Sequence, residues 1–235
     1  MTTRLAAIGF DADDTLWHNE RFFRITQERF AALLADHAEP AHLAGRLLEA
    51  ERRNLGRYGF GVKGFVLSMI ETAIEVTDGR VPASVIAELV AAGRDMLEHP
   101  IELLPHAREA VEALAGRYRV VLITKGDLLH QERKLAQSGL GELFDAVEIV
   151  SEKTPEVYGR IFAAHAEGAE SALMVGNSLR SDVIPPILAG GWGVHVPHGV
   201  EWELERAEAP AAHERFRTLQ HLGALPELID WIDGA

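Results

Sequence analysis

The hydrophobic pattern changes character twice along the chain. RLAAIGF at 4–10 is a short, nearly continuous apolar run that stops at a cluster of acids, as a strand buried on both faces does. From about 16 to 100 the apolar positions recur at three- and four-residue spacing, in RFFRITQERFAALLADH, HLAGRLLEAERRNL, VKGFVLSMIETAIEV and PASVIAELVAAGRDMLE. That spacing gathers them on one face of a helix and predicts four helices. Pro40, the GFG at 59–61 and Asp78-Gly79 punctuate the block, and Pro82 suits a first helical turn.

After His99-Pro100, short apolar runs alternate with helical segments. A helix over 105–116 leads into the strand YRVVLIT, and DLLHQERKLAQSG is a helix closed by Gly139. FDAVEIV is a strand, followed by the helix TPEVYGRIFAAHA with Thr154 as its cap and Pro155 at its first position. SALMVG, SDVIPPILAG and WGVHV give strand, helix and strand, and LPELIDWI a last helix. The acidic stretch 199–216 has no period and is expected to be irregular surface. Strands alternating with helices predict a parallel sheet covered on both faces. The helical block interrupts that pattern after its first strand. The expected organisation is an α/β, Rossmann-like core from 1–15 and 105–235, with a four-helix domain inserted at 16–104.

A length of 235 residues suits one core with a modest insertion. Cysteine is absent, which excludes disulfides and thiolate metal sites and fits a reducing, cytoplasmic setting. MTTRLAAIGFDADDTL runs straight into acids without a small-residue cleavage site, as a first strand does and a signal peptide does not. No apolar run approaches the roughly 20 residues of a membrane span. The formal net charge of −13 repels phosphate backbones and anionic lipid, so neither nucleic acid nor membrane is an expected partner. An anionic small molecule would depend on local cations, and there are only four lysines: Lys63, Lys125, Lys134 and Lys153. Monomer and homodimer are both compatible with this composition.

Open α/β sheets bind ligands beyond the carboxyl ends of their strands. Four expected strand ends carry polar clusters: Asp11-Ala12-Asp13-Asp14-Thr15, Thr124-Lys125-Gly126-Asp127, Ser151-Glu152-Lys153-Thr154, and Gly176-Asn177-Ser178 with Ser181-Asp182. Asp11 and Asp13 would share a face of extended chain. Their mutual repulsion invites a hard divalent cation, Mg²⁺, or raises one pKa. One carboxylate could then attack phosphorus while the other protonates the leaving oxygen and activates water. Lys153, the Thr124 hydroxyl and backbone amides would hold the phosphoryl oxygens, with Asn177 and Asp182 completing the metal site. Taken singly, each residue has a plainer role as turn, cap or solvated loop.

These residues, as IGFDADDTL, VVLITKGD, SEKTPEVY and MVGNSLRSDV, resemble in order the four motifs of the haloacid dehalogenase superfamily. The likeness covers about 1–15 and 105–198, and the helical block lies where that family inserts its cap. It implies a Mg²⁺-dependent phosphatase acting on a small phosphomonoester, with Asp11 as nucleophile and Asp13 as acid/base. It further implies that Thr124 and Lys153 bind the phosphoryl group, beside Ala12 and Lys125. Asp11, the Asp13 carbonyl, Asn177 and Asp182 would hold the metal. Asn177 departs from the family's usual Asp and removes a charge from that set. Lys125 replaces a common Asn, and Asp14 a frequent Gly. Dehalogenases of the superfamily lack the acid found here at Asp13, which favours phosphate over halide.

Phosphonate hydrolase, phosphomutase and non-catalytic binding module are the alternatives on the same scaffold. Lys63 and His18 are candidate substrate contacts, against plainer readings as surface residues. Tyr58 and Phe60 are as well explained by packing at a helix junction. His195 and His198 flank Val-Pro near a strand end, a suggestive pair that is no metal motif without a third ligand.

Overall fold

The computed structural model describes residues 4–234. They form two compact units: one holds the chain up to His18, Ile101–Lys125 and everything from Gln131 onward, the other Asn19–Pro100 with Gly126–His130.

The first unit is built on a six-stranded sheet. Its strands are β1 (Ala7–Phe10), β2 (Arg119–Lys125), β3 (Ala146–Val150), β4 (Ala172–Gly176), β5 (Trp192–His195) and β6 (Phe216–Thr218). They run parallel in the order β3-β2-β1-β4-β5-β6. Alternation of side chains across the pleat sorts the apolar runs onto two faces. Ile8, Phe10, Val120, Leu122, Leu173 and Val175 join a core that includes residues of α5 (Ala107–Leu114) and α9 (Leu225–Gly234). Val121, Ile123 and Met174 face Tyr158 and Phe162 of α7 (Pro155–His165). Central strands buried on both sides need apolar residues at every position, hence the unbroken runs in the sequence.

Thr154 caps α7 by accepting from the Val157 N–H at 3.3 Å, with Pro155 at the first helical position as expected. Gly139 ends α6 (Leu128–Ser138) at φ 66°, a left-handed closure that glycine enters without a Cβ clash. Two local expectations change. SDVIPPILAG splits into a wide turn over Leu179–Val183 and a short α8 (Ile184–Leu188), because Pro185 and Pro186 withhold two backbone donors. The stretch after 199 is not all irregular surface: it holds a 3₁₀ turn at Glu203–Glu205 and runs into β6. An edge strand of three residues needs no apolar run, so periodicity could not reveal it.

The second unit contains α1 (Glu20–Leu33), α2 (Pro40–Tyr58), α3 (Val62–Val76) and α4 (Ala83–Glu98). Phe30, Leu34, Leu43, Leu47, Phe65, Met69 and Leu89 form its own buried cluster, separate from those of the sheet. A polar seam joins α2 and α3: Asn54 donates to Ser68 and Glu71, and Tyr58 Oη to Glu71 at 2.6 Å. In the first unit, the chain leaves for and returns from this block at adjacent points. His18 N–H donates to the Glu102 carbonyl at 3.1 Å, and Trp17 bridges Leu103. Among the described residues no helix is long and apolar enough to cross a membrane.

Candidate active site at the strand ends

The chain runs from β1 through β2 to β3 on one side of the sheet, then returns to β4 on the other side of β1. The crevice at such a reversal is where α/β sheets place ligands. Asp11 follows β1 directly, its N–H donating to the Val175 carbonyl at 2.9 Å, and Asn177 follows β4.

Lys153 lies at the centre, with its side chain 1% exposed. Its Nζ donates to Asp11 Oδ1 at 2.6 Å and to Asp182 Oδ1 at 2.7 Å. Burial alone would lower its pKa, but the two carboxylates outweigh that and hold it well above the ordinary lysine value. The cluster has two anions and one cation. Burial, followed by the charge of Asp182, pushes Asp11 up to about 7 against the pull of Lys153. Asp182 Oδ2 accepts from the Ser178 N–H at 2.9 Å, so both its oxygens are occupied in anchoring Lys153 and the turn after β4.

The Thr15 hydroxyl lies 2.9 Å from Asp11 Oδ2 and 3.2 Å from Asn177 Oδ1, and accepts from the Asn177 N–H. A carboxylate oxygen and an amide oxygen thus converge on one point. Two oxygen donors so placed suit a hard divalent cation, though with one charge fewer than a second Asp would give.

Asp13 is clamped from three sides. Lys134 Nζ donates to both its oxygens at 2.8 and 2.9 Å, Trp17 Nε1 to one at 2.7 Å, and Gln131 Nε2 to the other at 3.0 Å. Burial would raise its pKa. The Lys134 charge and these hydrogen bonds more than offset it and hold Asp13 below the usual carboxylate range. Gln131 Nε2 also stands 2.7 Å from Thr124 Oγ, which links Thr124 to Asp13. Lys125 is drawn into a different group: its Nζ reaches Glu205 Oε1 at 2.6 Å and Ser181 Oγ at 2.8 Å. Glu205 also accepts from Ser178 and Ser181.

The site therefore gathers Asp11, Asp13, Thr124, Lys153, Asn177 and Asp182 at or just past neighbouring strand ends, with Ala12 between the two acids, while Lys125 turns to Glu205 and Ser181. Sequence reading missed Lys134, Gln131, Trp17 and Glu205. Lys134 carried a signal, as one of only four lysines in an acidic chain. Gln131 and Glu205 carried none, because a polar residue on a helix or in a loop shows its partner only once Asp13, 118 residues from Gln131, or Lys125, 80 residues from Glu205, is brought to it. Lys63 belongs to the helical unit and pairs with Asp127 at 2.7 Å. His195 is held on the Asn177 carbonyl at 3.0 Å. Burial, with His18 beside it, keeps His198 below the ordinary imidazole value.

Residues 5–190 match the family model described as haloacid dehalogenase-like hydrolase. The structure is similar to that of a haloacid dehalogenase-like family hydrolase from Xanthomonas campestris, with 43% identity, 98% of this chain and 92% of that one covered, and a TM-score of 0.87. It shares its fold with the HAD-hydrolase YfnB of Bacillus subtilis, solved bound to magnesium, at 17% identity, coverage of 97% and 100%, and a TM-score of 0.66. The same holds for L-2-haloacid dehalogenase of Xanthobacter autotrophicus, at 20% identity, coverage of 96% and 98%, and a TM-score of 0.67. With its four motifs in place around one crevice, the chain belongs to the haloacid dehalogenase-like hydrolases.

Proposed function

We propose that this hydrolase is a Mg²⁺-dependent phosphatase acting on a small phosphomonoester through an aspartyl-phosphate on Asp11. The observation that carries the reading is Asp13, a second carboxylate held by Lys134, Trp17 and Gln131 two residues beyond the nucleophile. Halide displacement yields a stable anion and needs no proton. An alkoxide leaving group does need one.

In the first half, an Asp11 oxygen bonds to phosphorus as the ester P–O bond breaks, and the departing oxygen takes a proton from Asp13. In the second, Asp13 removes a proton from water as the water oxygen bonds to phosphorus and Asp11 is released. The free site favours the second role, because Lys134 holds Asp13 as an anion. An arriving phosphate brings negative charge that opposes this pull and shifts Asp13 toward the protonated form the first half requires. Lys153 and Thr124 are the groups for the phosphoryl oxygens. A bound Mg²⁺, held by Asp11, Asn177 and the Asp13 carbonyl, with Asp182 behind them, would supply charge that keeps Asp11 ionised and neutralises the transferring group.

Asp11→Asn should reduce Mg²⁺-dependent hydrolysis of an aryl phosphate by at least roughly 10³-fold, the scale on which losing a nucleophile is felt, with an unchanged circular-dichroism spectrum. Retained turnover would overturn the assignment, as would halide release from a 2-haloacid by wild-type protein inert toward phosphates.

A further inference from the structure

The turn after β1 and the segment after β5 bring together three residues that the phosphoryl chemistry leaves unused. Asp14, His18 and His198 each offer a ligand atom, all within 4.8 Å of one another. His198 Nε2 lies 3.4 Å from Asp14 Oδ1, with these side chains 14% and 7% exposed, and the His18 and His198 rings are 5.6 Å apart. Two ligands at about 2.0–2.2 Å from a tetrahedral zinc ion stand about 3.4 Å from each other, so this pair already has the spacing of a shared ion. Only a small inward movement of His18 would complete the set.

Local folding explains the meeting. Asp14 sits at φ 60°, a left-handed conformation that Asp tolerates, and its N–H donates to the Trp17 carbonyl at 2.7 Å. This tight loop brings residues 14 and 18 to the same side. His198 arrives from β5, past the other flank of β4. It also lines a cavity of about 250 Å³ with Asn177, His195, Glu201 and Arg206, which offers a route for an ion and room for a water ligand.

We propose that Asp14, His18 and His198 form a second cation site, distinct from the Asp11 site and selective for a borderline divalent ion such as Zn²⁺ or Co²⁺. Two imidazoles and one carboxylate suit such ions and are a poor set for Mg²⁺, which prefers all-oxygen surroundings and keeps its water. An ion bound here would tie the turn after β1 to the segment after β5.

The test is titration of the full-length, chelator-treated protein with Co²⁺ in excess Mg²⁺. One Co²⁺ should bind and give the intense visible absorption of a tetrahedral centre. His18→Ala and His198→Ala should each weaken binding by more than about 100-fold, beyond what loss of an outer-shell partner commonly causes. Asp11→Asn should leave the spectrum intact. If His18→Ala does not fold, His198→Asn gives the same reading. The proposal fails if no such band forms, if it survives the histidine substitutions, or if Asp11→Asn removes it.

Discussion

At the level of single residues, the site is a set of buried charges that constrain one another. Removing one partner of a buried pair strands the other. Lys134→Met should therefore destabilise the protein by about 3 kcal/mol at pH 7, at the low end for such pairs because Asp13 keeps 24% of its side chain exposed. Denaturant unfolding reads this directly, and a loss below about 0.5 kcal/mol would mean that the clamp contributes little. Glu205 gives a pH signature. Burial pushes its pKa up, but Lys125 and the Ser178 and Ser181 hydroxyls outweigh that and hold it low. A depressed folded-state pKa means stability that is present above the unfolded value of about 4.3 and lost as pH falls through the folded one. Glu205→Gln should cost on the order of 1–3 kcal/mol at pH 7, and its stability should approach the wild type's as pH falls below the unfolded value and through the depressed folded one. Asp11, Asp13, Thr124 and Lys153 were legible in the sequence because each sits at a strand end within a motif. Gln131 and Glu205 were not, and Lys134 showed only as a scarce lysine, since what these side chains do depends on which groups the fold brings to them.

At the level of elements, the strands and most helix boundaries follow from periodicity and caps, as Thr154-Pro155 and Gly139 illustrate. What escaped was whatever tertiary pairing alone determines. β6 exists because β5 offers it an edge, and Glu205 is drawn inward by the turn after β4. That turn also makes Gly176 indispensable, as a Cβ there would overlap the Asp182 carboxyl group. Gly176→Ala should displace Asp182 and loosen Lys153 without altering the sheet order. Turnover should drop by roughly 100-fold, the usual consequence of misplacing a catalytic group by about 1 Å. Steady-state kinetics beside an unchanged far-ultraviolet spectrum would show it, and near-normal turnover would mean that the anchor is dispensable.

The whole molecule has more than one hydrophobic core, and the sequence disclosed this as a switch of periodicity near residue 100. Because the helical unit buries its own cluster, damage there should stay local. Met69→Ala, at a fully buried position, should cost about 2–5 kcal/mol within that unit. Hydrogen exchange should then accelerate across 19–100 while β1, β2 and β4 keep their protection. Uniform acceleration across both units would show that they unfold as one. The bond from His18 to Glu102 and the bridge from Trp17 to Leu103 have a larger meaning. They close the core's backbone into a narrow neck, so the sheet is held in register whatever length of chain is threaded between the two sides. Loop closure costs little more for a long excursion than for a short one. Descent could therefore lengthen, shorten or exchange the segment between positions 18 and 101 as a cassette, without shifting a single strand of the catalytic half.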